Sequence, residues 1–482
     1  MTAALRFGGQ EIAPQDFEAA ARRAAGGLER LGVREGDVVC IMLSNGPAFL
    51  EAMFGARMLG AYYCPINWHF KAEEAGWILK DSGARALVVT PEFLAGISQA
   101  IPAGLKVVTP AALSSGAAWS GAERPPGAMM PYTSGTTGRA KGVRRVPLAP
   151  AAAETLASLT AQVLGLAPGT RALLSAPLYH SAPASYGGLA MLRGELLVLE
   201  ERFDAERTLA LIQDLKLTRA YLVPTMLVRL LRLPEETKER YDVSSMRFVA
   251  MTGSPCPPEV KRGMIDWWGP VFHESYAASE LGWVTSISSE EALRKPGSAG
   301  RPAGGAMVRI LDPQGRELPA GEVGLIYTRQ PAFPEFTYNN NPEARARLER
   351  DGLCSVGDMG FLDPEGYLYV CDRASDMVIS GGVNIYPAEI EAALAMMPGV
   401  RDCAVFGIPD AEFGEALCAA VQGEAGRRIS SEDVQNYLKK KLADYKVPKR
   451  VTFHDELPRE DSGKIFKRRL RAPYWEKAGR KI

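Results

Sequence analysis

The densest chemical signal in the sequence is the run at 132–143, Tyr-Thr-Ser-Gly-Thr-Thr-Gly-Arg-Ala-Lys-Gly-Val. The hydroxyls of Thr133, Ser134, Thr136 and Thr137, the glycines Gly135 and Gly138, and Lys141 fall together between apolar flanks. Glycines let several backbone N–H groups converge on one anion, hydroxyls donate further hydrogen bonds, and a lysine adds a compact positive charge, so such a run can wrap phosphates. It is not a Walker loop, which needs glycine, four residues and then Gly-Lys-Ser/Thr; here Lys141 follows Gly138 by three and precedes a glycine. Nucleotide binding is the expectation.

The same run resembles the signature loop of the adenylate-forming superfamily, which includes acyl-CoA synthetases, peptide-synthetase adenylation domains and beetle luciferases; Ala140 takes the place of the usual proline. Further motifs of that family follow in order as far as Leu470, so the resemblance covers essentially the whole chain. It implies ATP and Mg²⁺. Tyr276-Ala-Ala-Ser-Glu280 is similar to the family's Tyr-Gly-x-Thr-Glu, in which the tyrosine stacks on adenine, the hydroxyl (Ser279 here) meets phosphate and the glutamate holds the metal, with Ala277 in the glycine's place. A hard oxygen ligand suits Mg²⁺ beside phosphates, and Thr136 joins Glu280 as a candidate ligand. Gly253-Ser254-Pro255 matches the segment whose backbone borders adenine, Asp358 the carboxylate that accepts from both ribose hydroxyls, and Arg373 the arginine that also reaches the ribose. Val356 replaces the family's threonine, and Ser375 stands at the hinge where Asp or Lys is usual. Leu457-Pro-Arg-Glu-Asp-Ser-Gly-Lys464 looks like the catalytic-lysine motif. Gly381 and Gly382 lie in the segment that the family brings in for thioester formation, where they would let the pantetheine arm of CoA pass close to the backbone.

These parts imply an ATP-dependent acid:CoA ligase. A carboxylate resists a thiol because its carbonyl carbon is electron-rich and oxide is a poor leaving group, so attack on the α-phosphate of ATP comes first, giving an acyl adenylate and pyrophosphate. Lys464 would meet the charge of that step, and a rotation about Ser375 would then present the thiol. His180 sits where the family places a gate to the acyl pocket; Ala184, Ser185, Gly187 and Gly188 leave room for an apolar chain or ring, which Trp283 would line or limit. With no cation waiting for a second carboxylate, the expected substrate is a hydrophobic monoacid, fatty or aromatic. Rival readings are a stand-alone adenylation enzyme loading a carrier protein, a luciferase-like oxidase, and a nucleotide-binding module without catalysis; the last would be expected to lack Lys141, Glu280, Asp358 or Lys464, and all are present.

The elements that must carry these groups read as α/β. Apolar residues recur at helical spacing over 17–31, and short β-rich runs at 37–43, 86–90, 171–176, 219–223 and 246–251 alternate with helical or Gly/Pro-marked stretches. Near residue 300 the texture changes to short strands and turns, with Asp312-Pro-Gln-Gly315 and Asp363-Pro-Glu-Gly366; a strand near 404–407 and a helix over 431–442 follow. The expected architecture is a large N-terminal domain (1–374) of layered α/β subdomains with a β-rich subdomain, and a small mobile α+β C-terminal domain (375–482). The segment 111–128, rich in Ala, Gly, Ser and Pro, reads as a surface connection. Over 482 residues, 56 Lys plus Arg balance 56 Asp plus Glu, which removes the basic field that would favour nucleic acid. No apolar run reaches the roughly 18 residues of a membrane span, and 1–7 does not read as a secretory signal, so the cytoplasm is the expected compartment. The seven scattered cysteines read as reduced thiols rather than metal ligands, and a homodimer is left open.

Overall fold

The computed structural model describes residues 1–122, 124–133, 139–424, 426–459 and 465–477. The chain forms two compact units, one of Met1–Val308 with Thr328–Val356, the other of Arg309–Tyr327 with the residues from Gly357 onward.

The first unit is built on a nine-stranded sheet. Its centre is parallel: Ala4–Phe7, Leu196–Leu199, Arg171–Leu174, Arg219–Leu222, Phe248–Met251 and Phe272–Ala278 pair in that spatial order. These strands are near-continuous apolar runs because a parallel sheet is buried on both faces. Gly282–Ile287 turns back antiparallel on Phe272–Ala278, and it is this reversal that carries Glu280. A second, four-stranded parallel sheet is centred on Val38–Met42 and Ala86–Val89, both fully buried. The expected strands thus recur within a residue or two, and the α/β class holds.

One sequence expectation is corrected here. The stretch at 111–128 is not simply a surface connection: Leu113 and Trp119 are buried, and the Trp119 N–H donates to Arg22 O at 2.8 Å. Helix Pro14–Arg30 admits this segment through Gly26 and Gly27, whose Cβ atoms would lie 2.2 Å from Ala117 O and 2.0 Å from Leu113 O. Two adjacent glycines in a helix cost stability on their own; the close backbone approach explains them.

The second unit contains a five-stranded sheet whose spine is the long hairpin Val400–Asp410/Gly414–Gly423, with Arg450–His454 added parallel. The expected strand at 404–407 is the middle of that hairpin. Helices Pro387–Ala395 and Ser431–Lys439 bury Ile390, Leu394, Val434 and Leu438 against it. A smaller hairpin, Asp358–Leu362/Leu368–Arg373, closes on the Asp363-Pro-Glu-Gly turn, where Asp363 Oδ1 accepts from the N–H groups of Glu365 and Tyr367. All seven cysteines are unpaired, and no described helix is long and apolar enough to cross a membrane.

The first unit also buries an ion pair between Lys261 of helix Pro258–Trp268 and Glu274 of strand Phe272–Ala278; Glu274 Oε1 further accepts the Cys256 N–H at 3.1 Å. Removing one partner leaves an uncompensated buried charge. Lys261→Met is expected to lower unfolding free energy in denaturant titrations by about 3–5 kcal/mol, and Glu274→Gln added to it is expected to restore more than half of that loss.

Candidate active site

Glu280 is the middle residue of the three-residue turn between Phe272–Ala278 and Gly282–Ile287, just beyond a register shift at Tyr276/Ala277. Its Oε1 accepts from Thr133 Oγ1 at 2.8 Å and from Tyr338 OH at 3.0 Å. Burial, and after it the Glu280 carboxylate, push the Tyr338 phenol well above its ordinary value, so that hydroxyl remains a donor. Lys141 Nζ lies 5.1 Å from the centre of the Tyr338 ring. Thr133 and Lys141 face each other across an antiparallel pairing of Tyr132–Thr133 with Lys141–Arg145. Ser134, Gly135, Thr136, Thr137 and Gly138, which the sequence places between them, lie outside the described residues.

The groups expected at adenine and phosphate gather at the carboxyl ends of parallel strands, where ligands of open α/β sheets bind. Gly253, Ser254 and Pro255 are exposed just past Phe248–Met251, with Gly253 at φ 99°, and Tyr276 and Ala277 lie in the neighbouring strand, half-buried. Ser279 Oγ is 3.1 Å from Ser181 Oγ, the first residue of helix Ser181–Arg193. His180 precedes that helix, half-buried, its ring edge-on to Tyr179 at 4.5 Å. The chain therefore brings the expected gate, His180, close to Ser279 and Glu280.

The expected acyl-pocket residues divide. Ala184 is buried and Ser185 half-buried in the same helix; Trp283 is buried, its Nε1 donating to Thr160 Oγ1 at 3.1 Å. Gly187 and Gly188 depart from the expectation of open space. A Cβ on Gly187 would lie 3.1 Å from Leu174, and one on Gly188 would lie 3.3 Å from Met53 Cε, so core side chains already occupy the room beside them.

In the second unit Asp358 and Arg373 are cross-strand neighbours, with Arg373 Nε 3.5 Å from Asp358 Oδ1, so one hairpin presents both expected ribose groups. Ser375 is exposed, and its carbonyl accepts from Arg471 Nη1 at 3.1 Å. Gly381 and Gly382 form the two-residue turn between Val378–Ser380 and Val383–Ile385, at φ 57° and 81°. Positive φ at both central residues is what a tight hairpin turn demands, so local geometry alone calls for these glycines. Lys464 lies outside the described residues; on either side of it Arg459 and Ile465 pair antiparallel.

Sequence reasoning missed several groups. Tyr338 ends a strand, Phe336–Tyr338, whose pairing to Lys141–Arg145 spans nearly two hundred residues and leaves no local signature. Arg145 is half-buried, and Nη2 donates to Ser279 O at 2.6 Å and Glu280 O at 2.8 Å. Its neighbour Arg144 gives the pair the look of a solvated basic doublet. Three residues beyond Lys464, Lys467 Nζ is 2.8 Å from Glu391 Oε1. Burial disfavours the Lys467 charge, but Glu391, Asp372 and Asp376 outweigh it and hold the ammonium above its usual range. Asp372, itself raised by burial, accepts the Ala388 N–H at 2.9 Å.

Comparisons with known proteins show the family. The family described as AMP-binding enzyme matches residues 2–334, and the AMP-binding enzyme C-terminal domain matches 389–464. The chain is 36% identical over 480 residues to a feruloyl-CoA synthase from Amycolatopsis sp, covering 97% of this chain and 95% of that one. It is 32% identical over 498 residues to the fatty acid–[acyl-carrier-protein] ligase ScoC of Streptomyces coeruleorubidus, covering 100% and 95%. Among solved structures, ATP-bound MatB from Rhodopseudomonas palustris superposes with a TM-score of 0.85 at 29% identity, covering 98% of this chain and 96% of that one. With both family domains matched and the relatives aligned nearly end to end, the chain belongs to the AMP-binding enzymes, in the acyl-CoA synthetase branch of the adenylate-forming superfamily, and is an AMP-forming acid–thiol ligase.

Proposed function

We propose that this ligase activates a hydrophobic monocarboxylic acid, fatty or aromatic, as its acyl adenylate at the Glu280 turn and passes the acyl group to CoA. The observation that carries the site is the single Glu280 oxygen bracketed by Thr133 and Tyr338 hydroxyls, with Lys141 over the Tyr338 ring. That donor set fits Mg²⁺. The described residues contain no cluster of three or more His, Cys, Asp and Glu side chains able to hold a metal by themselves, and Mg²⁺ characteristically takes one or two carboxylates together with water and substrate phosphates. Glu280, with Thr136 from the loop, would hold it; when bound, it neutralises phosphate charge.

The roles of the remaining groups follow from the charges the reaction creates. The acid's carboxylate oxygen bonds to the α-phosphorus of ATP while the bond to pyrophosphate breaks, and negative charge grows on the phosphate oxygens. Lys141, Ser279 and Lys464 are the donors we assign to that charge, Asp358 and Arg373 the ribose contacts, and Tyr276 with Gly253–Pro255 the adenine border. In the second step the thiol sulfur bonds to the acyl carbon and AMP leaves with the bridging oxygen. Ser375 is the proposed pivot between the two steps, and Gly381–Gly382 the proposed passage for pantetheine. The feruloyl-CoA synthase relative supports an aromatic acid, and the buried Trp283 indole supports an apolar wall. The carrier-protein ligase among the relatives keeps an acyl-carrier protein as the second reading for the acceptor.

Pyrophosphate release measured across fatty, cinnamic, benzoic and dicarboxylic acids is expected to be strongest with an apolar monoacid and to yield the acyl-CoA when CoA is added. Adenylate accumulating without transfer to CoA would move the acceptor to a carrier protein. Lys464→Ala is expected to slow adenylate formation by roughly a hundredfold or more while thiolysis of a supplied acyl adenylate stays within about threefold, measured in separate half-reaction assays. Equal losses in both steps would contradict a role for Lys464 that is specific to the first.

A further inference from the structure

Arg145 is a charged side chain placed where burial should be unfavourable. It lies between Phe333 and Phe336, whose ring centres are 5.5 and 5.8 Å from the guanidinium carbon, and burial lowers it to about 10 against the opposing pull of the Glu280 and Glu335 carboxylates. Its Nε is buried with no hydrogen-bond partner among the described residues. Both of its side-chain hydrogen bonds among those residues go through one nitrogen to consecutive carbonyls, those of Ser279 and Glu280. On the backbone side, Arg145 is fixed by pairing to Phe336 and by Tyr62 OH, which donates to its carbonyl at 2.6 Å.

We infer that Arg145 is a positioning residue for metal-bound ATP: by clamping the carbonyls of Ser279 and Glu280 it sets the direction in which the Glu280 carboxylate and the Ser279 hydroxyl point. This rests on the proposed MgATP site. Consecutive carbonyls held from one side fix the intervening peptide plane, and both side chains leave from that plane. A lysine keeps the charge and has three donors, but on a freely rotating ammonium rather than a rigid planar head, so it holds the two carbonyls less firmly. A methionine fills the space and satisfies neither.

The test is ATP binding by calorimetry to the full chain, in Mg²⁺ and in EDTA, with thermal denaturation alongside. In Mg²⁺, Arg145→Met is expected to weaken ATP about tenfold and Arg145→Lys about threefold, while both stay within about twofold of the parent in EDTA. In a Glu280→Gln background Arg145→Met is expected to add no further Mg²⁺-specific loss, because the two residues act as one unit. Should the methionine variant fail to fold, the lysine variant carries the same comparison. Equal loss with and without Mg²⁺, or no loss, overturns the inference. A parent protein that binds ATP no better with Mg²⁺ than without it overturns the proposed metal site, and the inference with it.

Discussion

The candidate site depends on one constraint: a single turn, Ser279–Glu280, must be held from several distant parts of the chain at once. One Glu280 oxygen accepts from hydroxyls 147 residues before it and 58 residues after it, and a buried guanidinium 135 residues away holds the turn's backbone. The turn itself is placed by the parallel pairing of Phe272–Ala278 with Phe248–Met251 and by the antiparallel return of Gly282–Ile287. The fold's large buried core therefore does more than stabilise the chain. It places the ends of strands so that short polar side chains can meet, and a core packed as tightly as a protein interior tolerates little drift at those ends.

The second unit solves a similar problem with fewer parts. Asp358 and Arg373 are brought together by hairpin register and a one-residue bulge: the pairing runs from Leu362–Leu368 to Gly360–Val370, and the shift between Met359 and Gly360 then puts Asp358 opposite Arg373. The Asp363 turn, with its carboxylate capping two N–H groups, fixes the register as far as that bulge. Behind it the Lys467 ammonium is surrounded by Glu391, Asp372 and Asp376, which ties the start of the last described helix, Lys467–Lys477, to helix Pro387–Ala395 and to the strand that ends in Arg373. Burying such a charge is costly unless it is compensated, and three carboxylates compensate it.

Much of this was legible in the sequence because its chemistry is local. The hydroxyl- and glycine-rich run, the Tyr276–Glu280 stretch, and the Asp358 and Arg373 motifs are contiguous words, and apolar runs of four or five residues marked the buried strands at 38–42, 86–89 and 171–174. What escaped was non-local. Nothing beside Tyr338 or Arg145 in the chain says that the two strands pair. Gly188 reads as empty space until Met53 is seen beside it, and 111–128 reads as a loose connection until Gly26 and Gly27 are seen to admit Leu113 and Ala117. Composition can mark a residue as small or charged, but only packing says what fills the room next to it.

The central claim is that the acid is activated through a bond between its own oxygen and the α-phosphorus of ATP. Turnover with an acid carrying ¹⁸O in both carboxyl oxygens, followed by mass spectrometry of the nucleotide and pyrophosphate, tests this directly. The account predicts one ¹⁸O in each AMP released and none in pyrophosphate. Unlabelled AMP, or label in pyrophosphate, would contradict it.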